Sequence, residues 1–283
     1  MAEALTSVRE IERELSTLRI DPEAAAPYQR TSVMTHTAWV PPEWVEAAED
    51  VLSGLAERHP SRTVVLVPEP DEEDGLAADV EVDVYPVGGG RHICTETIRV
   101  RLKGERAHAP ASVVQPLLLP DLPAFLRWRG MPPFGEAHFE GLVDVVDRLI
   151  VDSTEWPDLP ASYAPLAEIF DRVQVSDIAW ARTSRWRPQL ATLWPDIAKV
   201  KRLRVTGTAA QAHLLAGWLR SRLGHDVELE HEEAKRLEGV ELDGEPAPFP
   251  PGDPPAGSDL LSEELDKFDR DRIYEDAVRA AIA

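Results

Sequence analysis

The chain has 283 residues, 43% of them hydrophobic, which is enough for one large domain or two of ordinary size. Its 51 acidic residues outnumber 30 basic ones, and the net charge of −21 argues against a main role in binding nucleic acid or anionic lipid. The single cysteine, Cys94, excludes an internal disulfide and a multi-cysteine metal site, and fits a cytoplasmic location. No stretch approaches the ~18 uninterrupted apolar residues of a membrane-spanning helix.

The first half of the chain predicts a mixed sheet with helices around it. Alternation of apolar and polar residues indicates a hairpin with one buried face, which carries Cys94, and a strand–helix–strand order further on indicates a parallel portion. The predicted elements are helices at 3–18 and 41–58, a central strand at 62–67, hairpin strands at 79–86 and 93–102, a short helix at 109–119, a strand at 123–128, a helix at 136–146 and a strand at 147–153.

The second half also alternates helices and strands. The helix predicted at 208–224 has a complete set of end signals, because Thr208 can cap its start, Arg220 and Arg222 suit its negative end, and Gly224 can end it. The other predicted elements are helices at 163–173 and 184–194, strands at 174–180, 200–205 and 225–232, an extended proline-rich segment at 243–257 and a final helix at 258–283.

These patterns predict an α/β protein of two domains, each a mixed sheet flanked by helices, with a proline-rich linker and a C-terminal docking helix. Five apolar side chains are expected to dock that helix: Leu261, Leu265, Phe268, Ile273 and Tyr274. The expected segments are 1–40, a helical N-terminal extension without assignment; 41–157, an N-terminal α/β domain with a β-hairpin; 158–242, a C-terminal α/β domain with a basic face; 243–258, the linker; and 259–283, the amphipathic helix.

A search for catalytic chemistry finds no GxSxG, GxxxxGK[ST], GxGxxG or HExxH motif. The eight histidines show no ligand spacing, and the glycines at 88–90 are explained by the hairpin turn. The sequence therefore predicts neither a catalytic residue nor a metal site nor a cofactor, and we expect a protein that is not an enzyme.

The basic residues are concentrated in one segment. Between Trp180 and Arg222 there are nine basic residues and one acidic residue, whereas 18 acidic and six basic residues follow from Asp226 to the end. Two interpretations stay open and do not exclude each other. In one, the acidic tail folds over the basic face; in the other, that face binds an acidic partner or a phosphorylated small molecule.

Tryptophan and arginine alternate at two places in the chain. Both residue types are enriched among the side chains that contribute most to protein–protein binding. The candidate partner-binding residues are Arg127, Trp128, Arg129, Trp180, Arg182, Arg185, Trp186 and Arg187. We expect Trp128, on a strand, to lie in the core, and Trp186, at a helix start, to be exposed or at an interface.

Four pieces of the sequence together resemble one family. They are SVVQPLLLPDLPAFLRWRG (112–130), DRLIVDSTEWPDL (147–159), SDIAWARTSRWRPQLATLW (176–194) and LLSEELDKFDRDRIYEDA (260–277). Their order and spacing are similar to those of the glucose-6-phosphate dehydrogenase assembly protein family, OpcA. The resemblance implies a non-catalytic partner that favours the active oligomer of that dehydrogenase in the oxidative pentose phosphate pathway.

The resemblance has one departure with a chemical consequence. Relatives often carry cysteine where Ser61 stands, and some are tied to thiol control of the dehydrogenase; with Cys94 alone, an internal disulfide switch is impossible here. The expected partner is therefore glucose-6-phosphate dehydrogenase, with an anionic small molecule as a second partner and no nucleic acid or membrane. The alternative function is a sensor or enzyme that binds a sugar phosphate through residues 180–222.

Overall fold

A computed structural model describes residues 4–21, 26–27, 32–48, 58–88, 91–253, 255 and 257–283. The chain divides into two compact units, Met1–Ile150 and Val151–Ala283. Both contain a mixed sheet flanked by helices, which confirms the predicted fold class. Half of the helix predicted at 41–58 lies outside the described residues, which show a 3-10 turn at Pro42–Trp44 and helical residues 45–48.

The first unit is built on one large sheet. Its strands are β1 (Ile20–Asp21), β2 (Ala26–Pro27), β3 (Met34–Trp39), β4 (Ser61–Glu69), β5 (Gly75–Gly88), β6 (Arg91–Lys103), β7 (Ala124–Trp128) and β8 (Arg148–Val151). Its helices are α1 (Val8–Leu18), α2 (Ala111–Leu117) and α3 (Ala137–Val143), with a 3-10 turn at Gly104–His108. β1 and β2 form a separate antiparallel pair.

The large sheet contains the strands β5-β6-β4-β3-β7-β8 in that order. The pairs from β6 to β8 are parallel, and β5 pairs antiparallel with β6 as the predicted hairpin. Central β4 buries Val64, Val65 and Leu66, and Cys94 on β6 is fully buried, as the apolar patterns predict. The hairpin and the parallel portion of the sheet are thus confirmed.

β3 corrects the prediction of a purely helical N-terminal extension. It lies between β4 and β7, and all six of its residues are buried. The sequence MTHTAW hides this strand, because polar residues occupy buried positions. Thr35 is tolerated there because its Oγ1 accepts a hydrogen bond from the Leu119 backbone N–H at 3.0 Å.

Helix α1 is fixed to the first unit by apolar and ionic contacts. Ser7 caps its start, and Ile11 and Leu15 are fully buried. From the sheet, the buried guanidinium of Arg62 contacts Glu12 on α1 at 2.6 Å and Glu96 on β6 at 2.6 Å. The two carboxylates compensate the charge of the buried Arg62 guanidinium, and the two ion pairs fix α1 against the sheet.

The second unit contains a smaller sheet and most of the helices. Its strands are β9 (Gln174–Asp177), β10 (Arg202–Gly207), β11 (Glu228–Glu233), β12 (Gly239–Leu242) and β13 (Glu245–Pro246). Its helices are α4 (Tyr163–Ile169), α5 (Ile178–Ala181), α6 (Trp186–Ala191), α7 (Ala209–Leu223), α8 (Gly257–Leu265) and α9 (Arg272–Ile282). Two 3-10 turns are formed by Ser153–Glu155 and Asp196–Lys199. The small sheet has the order β11-β10-β12-β13, with β10 and β11 parallel.

Helix α7 is the centre of the second unit. Thr208 and Gln211 form a capping box at its start, and Gly224 ends it in the left-handed conformation, as predicted. The helix contacts β10 and β11 on one side and α9 on another. It therefore buries residues all round, including Leu214, Leu215 and Leu219, and has no exposed polar stripe.

Two predicted elements of the second unit are wrong in detail. The strand at 174–180 ends at Asp177, whose side chain caps the short helix α5. The single final helix is two helices, because Asp271 accepts a hydrogen bond from the Tyr274 N–H and starts α9 anew. Phe268 and Ile273 are 59% and 44% exposed, so they do not dock as expected. Leu261, Leu265 and Tyr274 are buried, as predicted.

Candidate functional site

The basic segment of the second unit begins with a buried tryptophan. Trp180 on α5 is 2% exposed, and its Nε1 donates a hydrogen bond to Asp271 Oδ2 at 2.8 Å. The guanidinium carbon of Arg187 lies 3.5 Å from the centre of the Trp180 ring. Burial lowers the pKa of Arg187 to about 10, so the group stays charged at neutral pH. Trp180 and Arg187 thus hold α9 and the basic segment together.

Arg182 lies two residues after Trp180 and is anchored by an acid from another part of the unit. Its Nη1 donates to Asp152 Oδ1 and Oδ2 at 2.9 and 2.8 Å, and to Thr154 Oγ1 at 3.4 Å. The Arg182 side chain keeps 32% of its surface exposed, whereas that of Asp152 is nearly buried. The ion pair therefore fixes Arg182 without hiding it from solvent.

Trp186 is the candidate residue whose exposure was predicted wrongly. It is 4% exposed, because Phe249 from the proline-rich segment packs against it with ring centres 5.2 Å apart. The Nη2 of neighbouring Arg185 donates to the backbone oxygens of Pro250, Pro251 and Gly252. The segment 249–252, here called the strap, thus covers the start of α6.

A cavity of about 720 Å³ opens beside the strap. This volume lies within the range of about 300–1,000 Å³ that is typical of small-molecule sites. Its lining residues all belong to the second unit and are Arg182, Arg185, Trp186, Gln211, Arg236, Leu237, Glu238, Phe249, Gly252, Asp253, Pro255 and Leu260. Three of the eight predicted partner-binding residues, Arg182, Arg185 and Trp186, are thereby brought to one site.

Other arginines of the basic segment are paired with acids from the later part of the chain. The pairs are Arg202 with Glu230 at 3.7 Å, Arg204 with Glu232 at 2.9 Å, Arg220 with Asp226 at 3.1 Å and Arg222 with Asp276 at 3.1 Å. These contacts support the interpretation that the acidic tail folds over the basic face. At the cavity, Arg185 has no carboxylate partner among the described residues.

The candidates Arg127, Trp128 and Arg129 lie in the first unit. Trp128 is 3% exposed and stacks on Trp39 with ring centres 4.8 Å apart, which confirms its predicted core position. Arg127 is also buried and donates to the Trp128 backbone oxygen at 2.6 Å. The Arg129 guanidinium carbon lies 4.3 Å from the centre of the Trp44 ring. Trp128 and Arg127 are therefore part of the packed interior around β7 and are not exposed to a partner.

A buried polar cluster in the second unit was missed from the sequence. Asp177 is fully buried; its carboxylate accepts hydrogen bonds from Ser153 Oγ at 2.6 Å and Tyr274 Oη at 3.2 Å, and Ser153 Oγ also lies 3.0 Å from Tyr163 Oη. Burial, and then the charge of Asp152, raise the pKa of Asp177 to about 6. The cluster could not be predicted because its residues lie far apart in the sequence. The capping of α5 by Asp177 is local and could have been recognised.

Two negative findings concern the described residues. In the part of the chain the structure describes, no group of three or more His, Cys, Asp or Glu residues could hold a metal ion. Among the same residues, no helix is both long enough and apolar enough to cross a membrane.

Two family profiles match the chain. One, described as the glucose-6-phosphate dehydrogenase subunit N-terminal domain, matches residues 53–168. The other, described as the C-terminal domain of the same subunit, matches residues 173–248. The chain belongs to the OpcA family. This confirms the predicted resemblance, and the two OpcA profiles together cover most of the chain.

Three curated OpcA proteins are similar over part of the chain, and each is named a putative OxPP cycle protein. The protein of Synechococcus elongatus is 28% identical over 184 residues, which are 60% of this chain and 41% of the relative. The proteins of Nostoc punctiforme and Synechocystis are 26% and 24% identical over 181 residues, again 60% of this chain, and 39% and 38% of the relatives. The chain thus spans about two fifths of the length of these OpcA relatives.

Proposed function

We propose that this protein is a non-catalytic assembly factor and allosteric activator of glucose-6-phosphate dehydrogenase in the oxidative pentose phosphate pathway, acting in the cytoplasm. The observation that carries the proposal is the match to both domains of the dehydrogenase subunit family, in order along the chain. The names of the three relatives, which refer to the OxPP cycle, support the same pathway.

The physical mechanism is linkage. A protein that binds the active form of an enzyme more tightly than the inactive form shifts the population toward the active form. The shift is limited by the difference between the two binding free energies, commonly about 1–3 kcal/mol. The assembly factor then needs no catalytic group of its own. The Asp177 cluster supports this assignment, because its carboxyl group is fully buried and bonded to Ser153 and Tyr274, out of reach of a substrate.

The exposure of each side chain determines whether it can contact the dehydrogenase. Trp128, Trp180 and Trp186 are buried within their own units and can only support a contact surface. Trp194, in the basic segment beyond α6, is instead 68% exposed. Tryptophan is among the residue types most enriched among the anchors of protein interfaces. We therefore add Trp194 to the proposed contact with the dehydrogenase.

The test mixes the purified protein with purified glucose-6-phosphate dehydrogenase and measures both activity and sedimentation. We expect activity to rise and the dehydrogenase to shift to a larger species. Trp194→Ala should weaken binding and so raise the half-saturating concentration. The increase should correspond to about 2 kcal/mol, the usual threshold of an interface anchor. Charge reversal at Arg182 or Arg187 is a poor probe, because each holds the unit together.

The matched control is Phe268→Ala, which removes another exposed aromatic ring, 59% exposed, outside the basic segment. It should activate as the unmodified protein does. If the unmodified protein neither activates nor co-sediments, the proposed function is wrong. If the unmodified protein activates and Trp194→Ala activates as well as the control does, the function stands and the proposed contact at Trp194 is wrong.

A further inference from the structure

The cavity beside the strap has hydrogen-bond donors that the described residues leave unused. Arg182 makes all of its side-chain hydrogen bonds through Nη1, and Arg185 makes all of its own through Nη2. Within the described residues, the other two nitrogens of each guanidinium have no partner. Because one nitrogen is already anchored, a ligand that binds the others restricts little further side-chain motion.

Gln211 adds a buried donor to the same wall. It is 1% exposed and lines the cavity. Its Oε1 accepts the Thr208 backbone N–H at 3.1 Å in the capping box, which fixes the orientation of the amide. In the described part of the chain, the Gln211 Nε2 has no hydrogen-bond partner. An amide N–H on the cavity wall, held in place by the bond to its own oxygen, can donate to an acceptor on a ligand.

The rest of the lining restricts the chemistry of that ligand. Glu238 and Asp253 are acceptors, so they require hydroxyl or ammonium donors on the ligand. Trp186 and Phe249 supply aromatic surface that can cover carbon-bound hydrogens. Arg236, whose side chain is 75% exposed and lies 3.6 Å from Glu238, adds a third guanidinium at the mouth. Arg182 and Arg236 are paired with Asp152 and Glu238, whereas Arg185 has no carboxylate partner in the described part of the chain, so Arg185 is the group that favours an anionic ligand.

We propose that this cavity binds a small polyhydroxylated phosphate ester, with its phosphate on Arg182, Arg185 and the Gln211 amide and its hydroxyls on Glu238 and Asp253. Guanidinium groups match phosphate oxygens with paired, charge-assisted hydrogen bonds. The strap covers the ligand through Phe249 and connects ligand binding to the proline-rich segment. The inference does not rest on the proposed function, because the site is complete within this chain.

Isothermal titration calorimetry on the isolated protein tests the proposal with glucose 6-phosphate as the probe, and with glucose and inorganic phosphate as its two parts. We expect glucose 6-phosphate to bind at least about tenfold more tightly than either part, because both ends of the cavity are then occupied. Arg185→Gln should weaken this binding by about tenfold, and Arg236→Gln, which removes the guanidinium at the mouth of the cavity, should weaken it by a smaller factor.

The matched control is Arg222→Gln, which removes one positive charge from α7 at a position paired with Asp276 and absent from the cavity lining. It should leave the affinity unchanged. If Arg185→Gln lowers the melting temperature, Arg236→Gln carries the test, since that side chain is largely exposed. The proposal is overturned if glucose 6-phosphate gives no binding heat, if inorganic phosphate binds equally tightly, or if the variants match the control. None of these outcomes affects the activation test, because the dehydrogenase is absent.

Discussion

The carboxyl group of Asp177 joins four segments of the second unit. It accepts hydrogen bonds from the Ser153 N–H and hydroxyl, from the Ala179 N–H and from the Tyr274 hydroxyl. The bonds from Ser153 and Ala179 favour the ionised form, yet burial dominates and the pKa of Asp177 rises from 3.8 to about 6. The residue is therefore a structural connector whose charge is unfavourable in its site.

This raised pKa predicts a pH dependence of stability. Because the folded state holds the Asp177 proton more tightly than the unfolded state, the stabilising contribution of the residue is complete below about pH 4. It is lost as the pH rises from about 4 to about 6 and stays constant above that, with a total on the order of 3 kcal/mol at most. Asp177→Asn keeps the shape and removes the ionisation.

The difference in unfolding free energy between the Asn variant and the unmodified protein is measured by urea denaturation across this pH range. The difference should change in favour of Asp177→Asn between about pH 4 and about pH 6 and then level off. The control Asp196→Asn makes the same substitution at an exposed aspartate, so it reports any effect of the change that does not come from burial. If the difference in unfolding free energy for Asp177→Asn does not change with pH, ionisation of the carboxyl group costs the folded state little free energy, and the prediction is wrong.

At the scale of elements, α7 and α9 approach each other closely at one glycine. A Cβ at Gly217 on α7 would lie 2.0 Å from the backbone oxygen of Ala277 on α9. No rotamer change relieves a contact with backbone, so the two helices would have to separate. The glycine permits the short distance that buries Ala277 and Val278.

Gly217→Ala should accordingly destabilise the protein by about 1–3 kcal/mol or more, despite the better helix propensity of alanine. Thermal unfolding followed by circular dichroism measures the effect. The control is Gly141→Ala in α3, where the added Cβ would meet Ala111 Cβ at an ordinary 3.5 Å. That change should be neutral or stabilising by up to about 1 kcal/mol. Equal melting temperatures for the two variants would contradict the close helix contact.

The sequence predicted correctly those helices and strands whose formation depends on residues that are neighbours in the sequence. The capping of α7 by Thr208 and the alternation of the hairpin depend on neighbouring residues, and both are confirmed. β3 was missed because the environment of Thr35 is set by Leu119, far along the chain. The burial of Trp186 depends on Phe249 in the same way, so the cavity itself could not be predicted.

At the scale of the whole molecule, charge is distributed so that opposite signs meet within the chain. The net charge is −21, while the basic segment of the second unit contributes nine cations and one acid. Arg204 lies 2.9 Å from Glu232, and Arg222 lies 3.1 Å from Asp276. Partly exposed pairs of this kind contribute little to stability, but they reduce the local positive potential.

The internal pairing predicts that the basic segment does not bind duplex DNA. Binding through phosphates needs several cations that release counterions, and it weakens steeply with salt. Fluorescence anisotropy of a labelled duplex, measured at about 50 mM and about 200 mM salt, should show no binding at either concentration. A triple variant, Glu232→Gln with Glu241→Gln and Asp276→Asn, removes the carboxylates that pair with Arg204 and Arg222 and is expected to bind weakly at the lower salt only. Strong, salt-sensitive binding by the unmodified protein would mean that its cations are accessible and that the acidic tail does not neutralise them.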